Sequence, residues 1–147
     1  MNFKRKRNRI EQFDYTSQNG YFITICTKDK KCTLGKIENG NIILSAYGII
    51  VENKLKNIKT IYRDVEITKM VVMPNHIHFI ILIENTGAAN LSKVVQQFKG
   101  AVSKEAKQSI WHKSFYEHVI RNETDYLRIW EYIDENITKW DLDEYHM

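Results

Sequence analysis

The segment MVVMPNHIHFIILI, residues 70–83, constrains this chain more than any other. It is an apolar run of strand type, broken near its middle by a proline-asparagine pair and two histidines. In a strand, successive side chains point to opposite faces. His76, His78, Ile80 and Leu82 therefore share one face, and Ile77, Phe79, Ile81 and Ile83 share the other. The second set makes a hydrophobic floor. The first puts two imidazoles side by side, with apolar residues only further along. Two such rings can hold a metal ion, or can be partly buried rings with polar neighbours, and periodicity alone leaves both open.

The flanking segments supply a fold. YFITICT (21–27) reads as a first strand, rich in aromatic and β-branched residues. In LGKIENGNIILS (34–45), Asn39-Gly40 between apolar pieces signals a hairpin. AYGIIVENKLKNI (46–58) spaces Tyr47, Ile50, Val51, Leu55 and Ile58 along one helix face. VEITKMVVMP (65–74) should pair antiparallel with the histidine strand across the turn allowed by Pro74-Asn75. Asn90 can cap a helix whose buried stripe is Leu91, Val94, Val95, Phe98 and Val102. SFYEHVIR (114–121) adds an edge strand, and a last helix is expected over 124–140. This order suits an α+β sandwich with helices stacked on one face of an antiparallel sheet, the other face being free for a ligand.

Length and composition narrow the class. The 147 residues suit one domain with a real core, and 43% hydrophobic with 27% charged residues is ordinary for a globular protein. The net charge of +4 favours an anionic partner weakly. Its distribution says more: Lys4, Arg5, Lys6, Arg7 and Arg9 crowd the start, as in a basic arm (1–15) laid on phosphate or as in a solvated terminus. Lys93 and Lys99 lie off the buried helix stripe, available to phosphate or to water. Cys26 and Cys32 read as reduced thiols. KRKRNR runs into IEQFDY rather than an apolar segment, and Phe79–Ile83 is too short to span a bilayer, so a cytoplasmic location without membrane contact is expected.

On the last helix, Tyr126, Ile129, Trp130, Ile133, Ile137 and Trp140 follow a core stripe. Tyr132 and Asn136 lie four residues apart at its border, so they stack one turn from each other. Alone, Tyr132 reads as a packing residue with its hydroxyl in water and Asn136 as a polar residue on an exposed helix face. Together with two imidazoles, the amide oxygen offers a third neutral ligand and the phenol a nucleophile beside it. A phenol with a pKa of ~10 is a weak nucleophile near neutral pH, but attacks phosphorus more readily beside a divalent cation. His118 reads as structural, since nothing spaces it with a partner. His112 beside Trp111 suits base stacking or a plain loop, and Asn75 carries no assigned chemistry.

The ordered segments PNHIHFIIL, SFYEHVIRNE and YIDENITKW resemble the single-tyrosine HUH (His-hydrophobic-His) transposases of the IS200-like family, most closely their REP-associated tyrosine transposase branch. The resemblance implies a ferredoxin-like or RRM-like α+β fold, a metal pair His76 and His78, Asn136 as third ligand and Tyr132 as nucleophile. It also implies Mg²⁺ or Mn²⁺ as cofactor and single-stranded DNA with hairpins as substrate, for a monomer or a homodimer. The expected activity is DNA cleavage and rejoining through a 5′-phosphotyrosine. A non-catalytic, domesticated hairpin-binding protein and a nuclease using water are the alternatives. One position departs from the Y-I-x-x-N-P-x-K-W pattern of similar sequences: Ile137 stands where proline is usual. Isoleucine restores a backbone donor, so a straighter helix end is expected.

Overall fold

The computed structural model describes residues 18–85, 87 and 89–140; the basic arm and His146 lie outside these residues. Strand β1 (Gln18–Cys26) is followed by a hairpin of β2 (Gly35–Glu38) and β3 (Asn41–Leu44), then helix α1 (Ala46–Lys56) and the short α2 (Ile58–Ile61). Next come β4 (Val65–Val72), β5 (His76–Glu84), helix α3 (Leu91–Ala106), β6 (Tyr116–Ile120) and helix α4 (Glu123–Asp134). The main sheet has the order β4-β5-β1-β6 with every pair antiparallel. Without the inserted hairpin and the appended α4, this is the β-α-β-β-α-β arrangement of a ferredoxin-like fold.

Local chemistry explains the boundaries. Asn39 and Gly40 both have positive φ, 52° and 77°, as the tight hairpin turn they signal requires. Ser45, Asn90 and Asn122 each cap a helix, accepting from the amides of Gly48, Lys93 and Asp125. Gly48 lets α1 approach the start of the hairpin, since a Cβ there would meet the Leu34 carbonyl at 2.1 Å. Among the described residues no helix is long and apolar enough to cross a membrane.

The sheet buries both faces. Ile23, Ile25, Ile77, Phe79, Ile81 and Ile83 pack beneath α1, α2 and α3 with Val51, Leu55, Val94 and Phe98. Each such side chain contributes about 1.5–3 kcal/mol on burial. Ile80 and Leu82 point the other way and join Ile120, Tyr126, Ile129, Trp130 and Ile133 in a second core. Helix α4 thus lies on the histidine face, which is only partly left to a ligand. A bulge between Ile67 and Lys69 shifts the parity of β4. Val65 and Ile67 serve the first core, whereas Lys69 reaches the α4 face, over the Trp130 ring at 4.8 Å and paired with Asp134.

The regular part of α4 ends at Asp134, earlier than the expected 140. Beyond it the chain stays wound, with the Asn136 amide bonded to the Ile133 carbonyl and the Trp140 amide to that of Ile137. These tighter three-residue closures are usual where a helix runs out. Isoleucine at 137 therefore does not prolong the regular helix.

Candidate active site

Strand pairing assembles the site. His78 is opposite Thr24 on β1 and Val71 on β4, Thr24 is opposite Tyr116 on β6, and His76 is opposite Cys26. Directly paired residues share a face, so Val71, His78, Thr24 and Tyr116 form one row beside α4. His76 and His78 are both buried, and their ring centroids are 4.6 Å apart.

Each imidazole is held through Nδ1. His76 Nδ1 donates to Asn75 Oδ1 over 2.8 Å. Thr24 Oγ1 lies 2.8 Å from His78 Nδ1. In both rings the remaining nitrogen, Nε2, is buried and engaged in no hydrogen bond among the described residues, and the same holds for Oδ1 of Asn136. Burial, and then the neighbouring His76, hold the His78 pKa well below its ordinary value, so the ring is neutral near pH 7. A neutral imidazole is the form that can ligate a cation.

The last turn of α4 and the segment after it close over the pair. The Tyr132 ring lies 5.3 Å from that of His78, and Trp140 stacks on His76 at 6.2 Å and 23°. Asn136 falls between these two residues in the chain and is only 3% exposed. Tyr132, by contrast, is 41% exposed. It stands at an open cleft of about 550 Å³ bounded by Phe22, Thr24, His78, Tyr116 and Arg128. Buried donor atoms thus sit beside a phenol that solvent can reach.

Two imidazole nitrogens with an amide oxygen fit a small divalent cation that keeps sites open for water or phosphate oxygens. No group of three or more His, Cys, Asp or Glu side chains suited to a metal occurs among the described residues, so a site here depends on the asparagine.

Lys93 and Lys99 are not brought to the histidines, because α3 packs on the opposite sheet face. Lys93 is exposed, whereas Lys99 Nζ donates to the carbonyls of His112 and Lys113. Trp111 is buried in the first core, and His112 is exposed with Nδ1 3.3 Å from the Ser114 amide.

Three residues went unread in the sequence. Asn75 and Thr24 hold the histidines, and only the strand register shows that Thr24 meets His78. The third is Asp125, the partner of His118 at 2.8 Å. Its carboxylate also pairs with Arg128 and accepts from the Arg121 amide. Burial pushes the Asp125 pKa up, but the hydrogen bonds from His118 and Arg128 outweigh this and leave it below its ordinary value. The hub fastens β6 to the first turn of α4.

Comparison with known proteins gives the chain a family and its fold two solved counterparts. Residues 23–136 match the family model described as "Transposase IS200 like". A Haemophilus influenzae protein described as uncharacterized is 34% identical over 168 aligned positions, covering 97% of this chain and 93% of its own. The fold is similar to that of a REP-associated tyrosine transposase solved bound to a REP hairpin, with a TM-score of 0.69 and 23% identity over 90% of this chain and 74% of that one. A candidate transposase of Deinococcus radiodurans gives a TM-score of 0.55 and 19% identity, over 84% of this chain and 93% of its own. With the family model spanning most of its length, this chain belongs to the IS200-like transposase family.

Proposed function

We propose that this protein cleaves and rejoins single-stranded DNA beside hairpins, with Tyr132 as nucleophile. The observation that carries the reading is the placement of an exposed tyrosine ring 5.3 Å from one of two adjacent buried histidines, at the mouth of an open cleft. His76 Nε2, His78 Nε2 and Asn136 Oδ1 would hold Mg²⁺ or Mn²⁺. Such an ion withdraws charge from phosphoryl oxygens and stabilises the charge that develops during transfer.

Tyr132 Oη forms a bond to phosphorus as the bond from phosphorus to the 3′ oxygen breaks. The phenol loses its proton and the departing 3′ oxygen gains one. The 5′ phosphate stays on the protein as a phosphotyrosine, which conserves the phosphodiester energy. Attack by a 3′-hydroxyl on that linkage reseals a strand and returns the tyrosine, with no nucleotide cofactor required. Phe22 backs the tyrosine edge-on at 6.0 Å and 88°, which restricts the ring to the cleft side. Arg128 on the cleft rim suits a DNA phosphate. The arm residues Lys4, Arg5, Lys6, Arg7 and Arg9 would contact the backbone, as would Lys93; Lys99 would do so only by releasing its loop carbonyls.

Labelled hairpin DNA from the flanks of the gene, mixed with protein and Mn²⁺ and run on a denaturing gel, tests the proposal. A shifted band lost with chelator and in Tyr132→Phe is expected. Cleavage without a covalent band points instead to water as nucleophile, and hairpin binding without cleavage points to a domesticated binding protein.

A further inference from the structure

Asn75 stands beside the histidine pair and touches more of the fold than a turn residue needs to. Fully buried, it ends the tight connection from β4 to β5, where the Met73 amide bonds to the His76 carbonyl at 2.8 Å. Its amide group bridges two elements. Oδ1 accepts from His76 Nδ1 at 2.8 Å, and Nδ2 donates to the Lys30 carbonyl at 3.3 Å. The second bond fixes the orientation of the amide: turned over, its oxygen would face another oxygen. The first then fixes the imidazole, because an amide oxygen can only accept and Nδ1 must carry the proton. The lone pair is left on Nε2.

The loop after β1 holds the Lys30 carbonyl in place. Asp29 and Lys30 both adopt left-handed backbone, with φ of 57° and 55°, a conformation that costs non-glycine residues energy. Neighbouring bonds hold it: the Lys30 amide bonds to the Thr27 carbonyl, the Thr27 amide to the Asn75 carbonyl, and the Leu34 amide to the Pro74 carbonyl. Thr27 Oγ1 lies 2.7 Å from the Lys31 carbonyl and 3.0 Å from that of Asn75. A strained loop is thereby clamped to the two residues just before the histidines.

We propose that Asn75 is the positioning residue of His76: oriented by the Lys30 carbonyl, it locks the ring in the Nδ1–H tautomer and aims Nε2 as a ligand. The role as a ligand rests on the metal reading above; the tautomer does not. Partners of this kind set ligand orientation, and their loss typically costs 10–100-fold in metal affinity.

Two measurements on the purified full chain test this. Histidine ¹⁵N spectra of the metal-free protein are expected to show His76 as a single Nδ1–H tautomer, mixed with Nε2–H in Asn75→Ala. A wild-type His76 in the Nε2–H form overturns the proposal. Mn²⁺ titration followed by electron paramagnetic resonance is expected to show binding weakened 10–100-fold in Asn75→Ala; binding within twofold of wild type, with the tautomer unmoved, overturns it. Should Asn75→Ala fail to fold, the wild-type spectrum decides alone: a single Nδ1–H form of His76 supports the lock and the Nε2–H form overturns it. Failure of wild type to bind Mn²⁺ sinks the metal reading instead, and the wild-type tautomer still decides the role of Asn75.

Discussion

His118 on β6 donates from Nε2 to Asp125 Oδ2 on α4 across 2.8 Å. The same carboxylate takes Arg128, one turn further along the helix that carries Tyr132. This cluster, rather than apolar packing alone, sets how α4 leaves the sheet edge. Replacing Asp125 by Asn removes the charge that the three donors share, at an expected cost of about 1–3 kcal/mol near neutral pH.

The same carboxylate makes stability depend on acid. Its folded pKa is depressed below the ordinary 3.8, so the unfolded chain takes up the proton first. The stabilisation is therefore present above that ordinary value and is lost as pH falls through the folded pKa. Thermal melts from pH 6 down to about pH 2 should show the wild type losing part of its advantage over Asp125→Asn below pH ~4. A constant gap between the two proteins across that range would show that the carboxylate adds no acid-sensitive stability.

Tyr132→Phe separates chemistry from folding. The residue is 41% exposed and its ring contacts, with Phe22 and His78, survive in phenylalanine. The stability change should stay within about 0.5 kcal/mol, as for most surface substitutions. The DNA adduct should vanish while hairpin affinity remains. An adduct that persists would move the nucleophile to another side chain.

The separation of the two sheet faces was legible because strand side chains alternate strictly: the parity of His76, Ile80 and Leu82 places them together without further information. The Asn90 cap and the Asn39-Gly40 turn were legible for a similar local reason. What could not be read was set by contacts between distant segments. The bulge beside Thr68 reverses parity within β4, and nothing in VEITKMVV announces it; the Tyr126 hydroxyl bonds to Thr68 there at 2.9 Å. Periodicity gave α4 its apolar stripe but not the sheet face that the stripe covers. Thr24 and Asn75 are unremarkable polar residues in sequence, and only register and loop closure bring them to the imidazoles. His118 has no visible partner in the sequence because its carboxylate lies seven residues on, across a strand-to-helix corner.

Thr24→Val tests the second histidine as Asn75 tests the first. The substitution keeps shape and removes the hydroxyl that lies 2.8 Å from His78 Nδ1. Leaving a buried ring nitrogen without its partner should cost about 1–3 kcal/mol of stability. Mn²⁺ affinity should fall by about 10–100-fold while hairpin binding holds. Unchanged Mn²⁺ affinity in a folded Thr24→Val protein would show that the hydroxyl does not orient His78 as a ligand.

Ile137→Pro addresses the one departure from the pattern of similar sequences. Proline inside a helix costs about 3 kcal/mol or more, through a lost amide and a clash with the carbonyl four residues back. Residue 137, however, lies beyond Asp134, where the regular helix has already ended, and its side chain is only half-buried. The expected cost is therefore below about 1 kcal/mol, well short of the helix-interior penalty. Asn136 is the residue at risk, because a following proline biases its backbone toward extended conformations. Melting temperature and Mn²⁺ affinity, measured together, distinguish the effects. A small shift in melting with unchanged affinity would mean that the turn tolerates either residue. A large loss of affinity would mean that isoleucine is what holds the Asn136 oxygen in its buried place.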